Sequence, residues 1–161
     1  MTGAREIQVH MCALAVGTGN DVLRATLGSC VGIGLLWRER GIYGLAHCLL
    51  PEAPVRPIRS EDGGAKYVTQ AIPALLASMQ VPRAAHGALE AVLAGGANMV
   101  HYTRRPSHPP IGELNVRTAQ QLLEALGVRV VHSDVGGECG RQLLIDCQQH
   151  TFVVKQITRT P

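Results

Sequence analysis

The sequence predicts an α+β, or layered α/β, fold: a single compact domain over residues 1–161, with mainly antiparallel strands and two main helices. Three observations carry this. The 161 residues are 46 % apolar, enough for one domain with a real core. Short apolar runs bounded by glycine, proline and charged turns recur along the chain, as strands do. Only two segments, 65–80 and 111–127, carry a helical period.

The elements follow in order. Ile7, Val9, Met11 and Ala13 alternate with polar or small residues, so 6–16 reads as one strand, closed by the GTGND turn at 17–21. Residues 22–27 form a second strand, interrupted by Gly28 and Ser29. VGIGLLW (31–37) is a strand whose glycines point to close backbone approach or a bend. RERG (38–41) is a hairpin turn and YGLAHCLL (43–50) the return strand, closed by Pro51. A Pro-rich loop fills 51–64. In 65–80, Tyr67, Val68, Ala71, Leu75 and Met79 share a helix face, and Pro73 predicts a kink or a late start.

LEAVLAGG (89–96) is a buried strand ending in a glycine turn, and 98–110 is the longest candidate for a mobile surface loop. In 111–127, Ile111, Val116, Ala119, Leu122, Leu123 and Leu126 form the apolar side, with Gly127 as C-cap. VRVVHSD (128–134) is a strand and GGECGR (136–141) a tight loop. QLLIDC (142–147) and TFVVKQI (151–157) make a final hairpin.

Composition narrows the function classes. A net charge of +3 calls for no polyanionic partner, and the Arg104–Arg105 pair has only Tyr102 nearby as a stacking platform, so no nucleic-acid partner is expected. No apolar run reaches the roughly 18 residues of a membrane span, so no membrane insertion is expected. The N-terminus, broken by Glu6 and His10, reads as mature strand rather than signal peptide. Cys12, Cys30, Cys48, Cys139 and Cys147 are an odd set for a disulfide scaffold, which favours the reducing cytoplasm. His101, His108 and His132 with Cys139 and Cys147 offer a minority zinc reading, weakened by the lack of a tight C-x-x-C pair. Gly95–Gly96 and Gly136–Gly137 match neither a P-loop nor a dinucleotide fingerprint. No metal or organic cofactor is expected.

Two residues stand out for chemistry. Cys30 follows Gly28 and Ser29 at an abrupt break between apolar runs. On composition alone it reads as a small buried hydrophobe. A sharp turn there would instead expose a thiol and aim backbone N–H groups at a substrate oxygen. His47 lies on the return strand of the RERG hairpin. Counting outward from Glu39 pairs it with Val31, beside Cys30. A base next to a thiol is the minimum for an activated nucleophile, although a hydrogen-bonded core histidine fits the same position. Such pairing also predicts a lowered thiol pKa, with Cys30 first to be alkylated.

The segments LGSCVGIGL (27–35), GLAHCLLPE (44–52), GGAKYVTQAIPALL (63–76), LAGGANM (93–99), IGELNV (111–116) and SDVGGECGR (133–141) together resemble the CheD family of chemoreceptor glutamine deamidases. They occur in family order and cover nearly the whole chain. The resemblance implies a protein-glutamine deamidase acting on the cytoplasmic helices of methyl-accepting chemotaxis receptors. It implies a Cys–His–Thr site, with Cys30 as nucleophile and His47 as base. For the threonine, Thr26, four residues before the cysteine, is the candidate orienter of His47, with another residue left open; Arg24 stands six before it. Both should face one side of a strand. The family also implies binding to a CheC-type phosphatase and, in some members, methylesterase-like activity. Two other classes stay open: a non-catalytic adaptor for receptor or phosphatase, and a cysteine amidase for small amides.

Overall fold

The computed structural model describes residues 4–55, 64–100 and 107–157. Among the described residues nine strands form two sheets, and two helices cover one of them. The strands are β1 (Arg5–Gln8), β2 (Leu14–Gly17), β3 (Asp21–Leu27), β4 (Val31–Trp37), β5 (Ile42–Cys48), β6 (Glu90–Gly95), β7 (Arg129–Val135), β8 (Gly140–Asp146) and β9 (Thr151–Ile157). The helices are α1 (Val68–Ser78) and α2 (Ile111–Leu126), with a short 3-10 helix at Arg83–Ala88. One sheet has the order β1-β3-β8-β9 and the other β2-β5-β4-β6-β7. Only β1–β3 and β6–β7 pair in parallel, so the sheets are mainly antiparallel, as expected.

Alternation along the strands builds two cores. On the larger sheet Val31, Ile33, Leu35, Ala46, Cys48, Ala91 and Leu93 face the helices and pack on Val68, Ala71, Ile72, Leu75, Ala119 and Leu123. The opposite face sends Leu36, Tyr43, Leu45, Val92 and Ala94 against Leu23, Ala25, Leu27, Leu143 and Ile145 of the smaller sheet. The order is therefore sheet, sheet, helices. Gly32 lets the sheets close up: a Cβ there would lie 2.7 Å from Leu27 Cδ1. No described helix is long and apolar enough to cross a membrane.

Most expected elements appear within a residue or two. The strand expected over 6–16 does not: β1 and β2 belong to different sheets. Between them the chain turns at Met11–Cys12, where Cys12 takes φ 70°, and crosses the gap. The helix expected over 65–80 starts late, at Val68, and keeps Pro73 within it. Gly127 caps α2 in the left-handed conformation, at φ 77°. The expected loops at 51–64 and 98–110 lie partly outside the described residues, as do His101, Tyr102, Arg104 and Arg105.

Candidate active site

The hairpin places Cys30 and His47 at one end of the larger sheet. The turn at 38–41 pairs Trp37 with Ile42, so His47 faces Gly32, and Val31 faces Cys48. Counting from Glu39 had paired His47 with Val31; the four-residue turn moves the register by one. That residue matters, because a slip of one exchanges the faces of a strand. In the observed register His47 shares the inter-sheet side with Tyr43 and Leu45, and Cys30 packs in that same cluster. The two are diagonal neighbours about the side-chain-free Gly32. Such pairs have Cβ atoms about 7–8 Å apart or closer in a regular antiparallel ladder. Cys48 faces the helices and is kept apart from His47 by the sheet itself.

His47 is held on ring and backbone. Its Nδ1 lies 2.9 Å from the Val9 carbonyl, so Nδ1–H donates there and Nε2 keeps its lone pair. Its amide donates to the Ala13 carbonyl, and its carbonyl accepts from the Cys12 amide. The crossing segment 9–13 therefore exists at the site as a cradle for the imidazole. Val9 in turn is fixed by its amide on the Arg24 carbonyl, at 2.7 Å.

The turn carrying Cys30 is pinned through its carbonyls. Gly28 accepts from the Ala97 amide and Cys30 from the Gly96 amide. Ser29 accepts from Asn115 Nδ2. The glycine at 95 is required here: it has φ 98°, and a Cβ on it would lie 2.3 Å from the Cys30 carbonyl oxygen. With the carbonyls engaged, the amides of Ser29 and Cys30 have no backbone partner among the described residues. Gly136 and Gly137 do not bond this turn: the Gly136 amide donates to the Gly95 carbonyl, and the Gly137 carbonyl accepts from the Asn98 amide.

Both candidate residues are buried, Cys30 at 4 % and His47 at 5 % exposure. Burial pushes the Cys30 thiol up to about 11, with nearby Cys12 adding to the rise. Burial also lowers His47, partly opposed by its bond to Val9. The direction is opposite to the expected lowering of the thiol: burial disfavours the charged form of each group, raising Cys30 and lowering His47, so both favour their neutral forms.

Thr26 is not brought to this pair. It is exposed on the outer face of β3, while Ala25 and Leu27 point inward. Arg24 shares that outer face, as alternation requires, and pairs with Glu6 at 2.7 Å. Two participants had escaped the sequence reading. The Val9 carbonyl is backbone and leaves no residue-type signal. Asn115 does leave one, being a polar residue on the buried stripe of α2. Asp134 and Arg141, which flank residues 136–140, form an ion pair at 3.1 Å.

A family model described as CheD chemotactic sensory transduction matches residues 49–156. The chain belongs to the CheD family. The matched stretch begins just past His47. Curated CheD relatives extend the likeness over most of the chain. A protein of Ruegeria sp. (strain TM1040), named probable chemoreceptor glutamine deamidase CheD 2, is 36 % identical over 96 % of this chain and 93 % of its own. One from Geobacter metallireducens with the same name is 44 % identical, covering 81 % of this chain and 80 % of that one. A probable chemoreceptor glutamine deamidase CheD of Pyrococcus horikoshii is 38 % identical, over 96 % and 94 %. Among solved structures, a Neisseria meningitidis protein matching the DUF152 family model aligns with TM-score 0.48 and 12 % identity, covering 84 % of this chain and 63 % of that one.

Proposed function

We propose that this CheD chain is a cytoplasmic, single-domain deamidase that converts glutamine side chains of chemoreceptor helices to glutamate through a thioester on Cys30. The relatives' names support the deamidase reading. The observation that carries the chemistry is the burial of Cys30 and His47 on one face about Gly32.

The mechanism follows from the neutral pair. His47 Nε2 takes the thiol proton as sulfur attacks the carboxamide carbon, forming the C–S bond. The amides of Ser29 and Cys30 stabilise the oxyanion. The C–N bond breaks as the His47 imidazolium gives its proton to the departing nitrogen, releasing ammonia. Water then attacks the thioester, His47 takes a proton from it, and the C–S bond breaks. The thiol is restored and the product acid ionises in water. The new negative charge on a packed helix bundle biases its conformational balance. A CheC-type phosphatase is a second partner under this proposal.

The test is intact mass of a receptor cytoplasmic fragment after incubation with the chain. Each conversion adds about one mass unit, since NH₂ becomes OH. Cys30→Ala should leave the mass unchanged. Binding without any mass change would make the chain an adaptor, and brisk turnover of free glutamine would make it a small-amide hydrolase; either refutes the proposal.

A further inference from the structure

Asn115 is completely buried, on the same stripe of α2 as Gly112, Val116, Ala119 and Leu123. A side chain needed only to fill that space would be apolar, because a buried amide must find partners. Its Nδ2 donates to two carbonyls: Ser29 at 3.2 Å and Leu49 at 3.0 Å. Two acceptors around one atom identify it as the nitrogen. Oδ1 is buried without a hydrogen-bond partner among the described residues. The residue is therefore held by its donor end alone.

The two acceptors lie on the two segments that carry the reacting groups. Ser29 precedes Cys30 directly, and Leu49 follows His47 by two residues. The β4–β5 ladder ends at Val31 and Cys48. The next pair in register would be Cys30 with Leu49, but there the chains part. The amides of Leu49 and Leu50 both turn to the Lys66 carbonyl. Where the ladder stops, Asn115 spans the gap from the third layer. We infer that Asn115 is a positioning residue, which sets the separation of Cys30 from His47 by tying the nucleophile turn to the end of β5. This rests on the deamidase reading above and deepens it.

The test compares Asn115→Asp with Leu123→Ala, a core truncation on the same stripe of α2 two turns away. Asn115→Asp keeps the shape but turns an oxygen toward two carbonyls. It should lower kcat on a receptor fragment by about 10- to 100-fold, with KM within twofold, since misplacing a reacting group acts on the chemical step. Part of the loss should return as pH falls, because the neutral acid regains one O–H donor. Leu123→Ala, at a similar loss of Tm, should keep kcat within twofold. If Asn115→Asp does not fold, Asn115→Ser is read the same way. A folded Asp or Ser variant with kcat within twofold of wild type overturns the inference, as does an equal kcat loss in Leu123→Ala. Wild-type protein inert toward the fragment would instead sink the deamidase reading, so the two failures are distinct.

Discussion

The Nδ1 atom of His47 lies 2.9 Å from the carbonyl oxygen of Val9, inside the protein and between its two sheets. A carbonyl only accepts, so the ring proton sits on Nδ1 and the free lone pair on Nε2. The tautomer of His47 is thus set by main chain, which no single substitution deletes.

Thr26 therefore has little to contribute to the base. Thr26→Ala is expected to keep kcat within about twofold of wild type, in line with an exposed side chain remote from such features. Steady-state kinetics on a receptor fragment decide this. A loss of tenfold or more would return Thr26 to the site.

The neutral thiol–imidazole pair predicts a broad pH–rate profile. Burial lowers His47 from its ordinary 6.5, so the acid limb of kcat/KM should lie below that value. Cys30, raised to about 11, should give no alkaline limb near neutrality. Stability follows the same groups. The contribution of His47 is present above 6.5 and lost as pH falls through its folded value. That of Cys30 is present below its ordinary 9.0 and lost as pH rises through about 11. An activity midpoint between pH 7 and 8 would contradict the neutral pair.

Alkylation tests the same point separately. In the free chain, the half-buried Cys139 should react with iodoacetamide at pH 7 before the buried Cys30. Labelling of Cys30 should speed up toward its pKa of about 11. Peptide mapping of the first equivalent checks the order. Cys30 labelled first at pH 7 would mean that the thiolate is already formed. Once Cys30 is labelled, deamidation should be abolished. Cys30→Ser should fold yet lose at least about 10³-fold in kcat, because His47 is poorly matched to a hydroxyl.

The two glycine pairs should separate by mechanism. Gly95→Ala brings a Cβ to 2.3 Å from the Cys30 carbonyl at φ 98°, so both sterics and backbone oppose it. A loss of more than about 3 kcal/mol is expected, with activity lost alongside. Gly136→Ala meets no atom within 4 Å, and only its φ of 82° is costly. About 1–2 kcal/mol is expected there, with kcat nearly intact. Urea unfolding and kinetics on both proteins measure the contrast.

Much of this was legible in the sequence, and the failures have physical causes. The β4–β5 hairpin could be read because charged RERG divides two apolar runs. Its register could not, because one turn residue more or less leaves that pattern unchanged. The crossing at Met11–Cys12 hid inside an alternation of Ile7, Val9, Met11 and Ala13 that continues straight through the turn. Cys30 and His47 could be singled out by residue type and spacing, whereas their high burial, and with it the direction of both pKa shifts, follows only from the second sheet closing over them. Thr26 came from a resemblance that carries residue order but not strand face, and the alternation of β3 turns its side chain to the exposed side.

β5 is an interior strand, paired with β2 on one side and β4 on the other. Interior strands open only near the free energy of global unfolding, while turns and strand ends breathe far more readily. Amide protons along 44–48 should thus be among the last to exchange with solvent, and those of Gly96 and Ala97, which hold the Cys30 turn, much earlier. Under the deamidase proposal, the two sides of the site would then differ in rigidity: His47 on an interior strand, Cys30 on a turn held from outside the ladder.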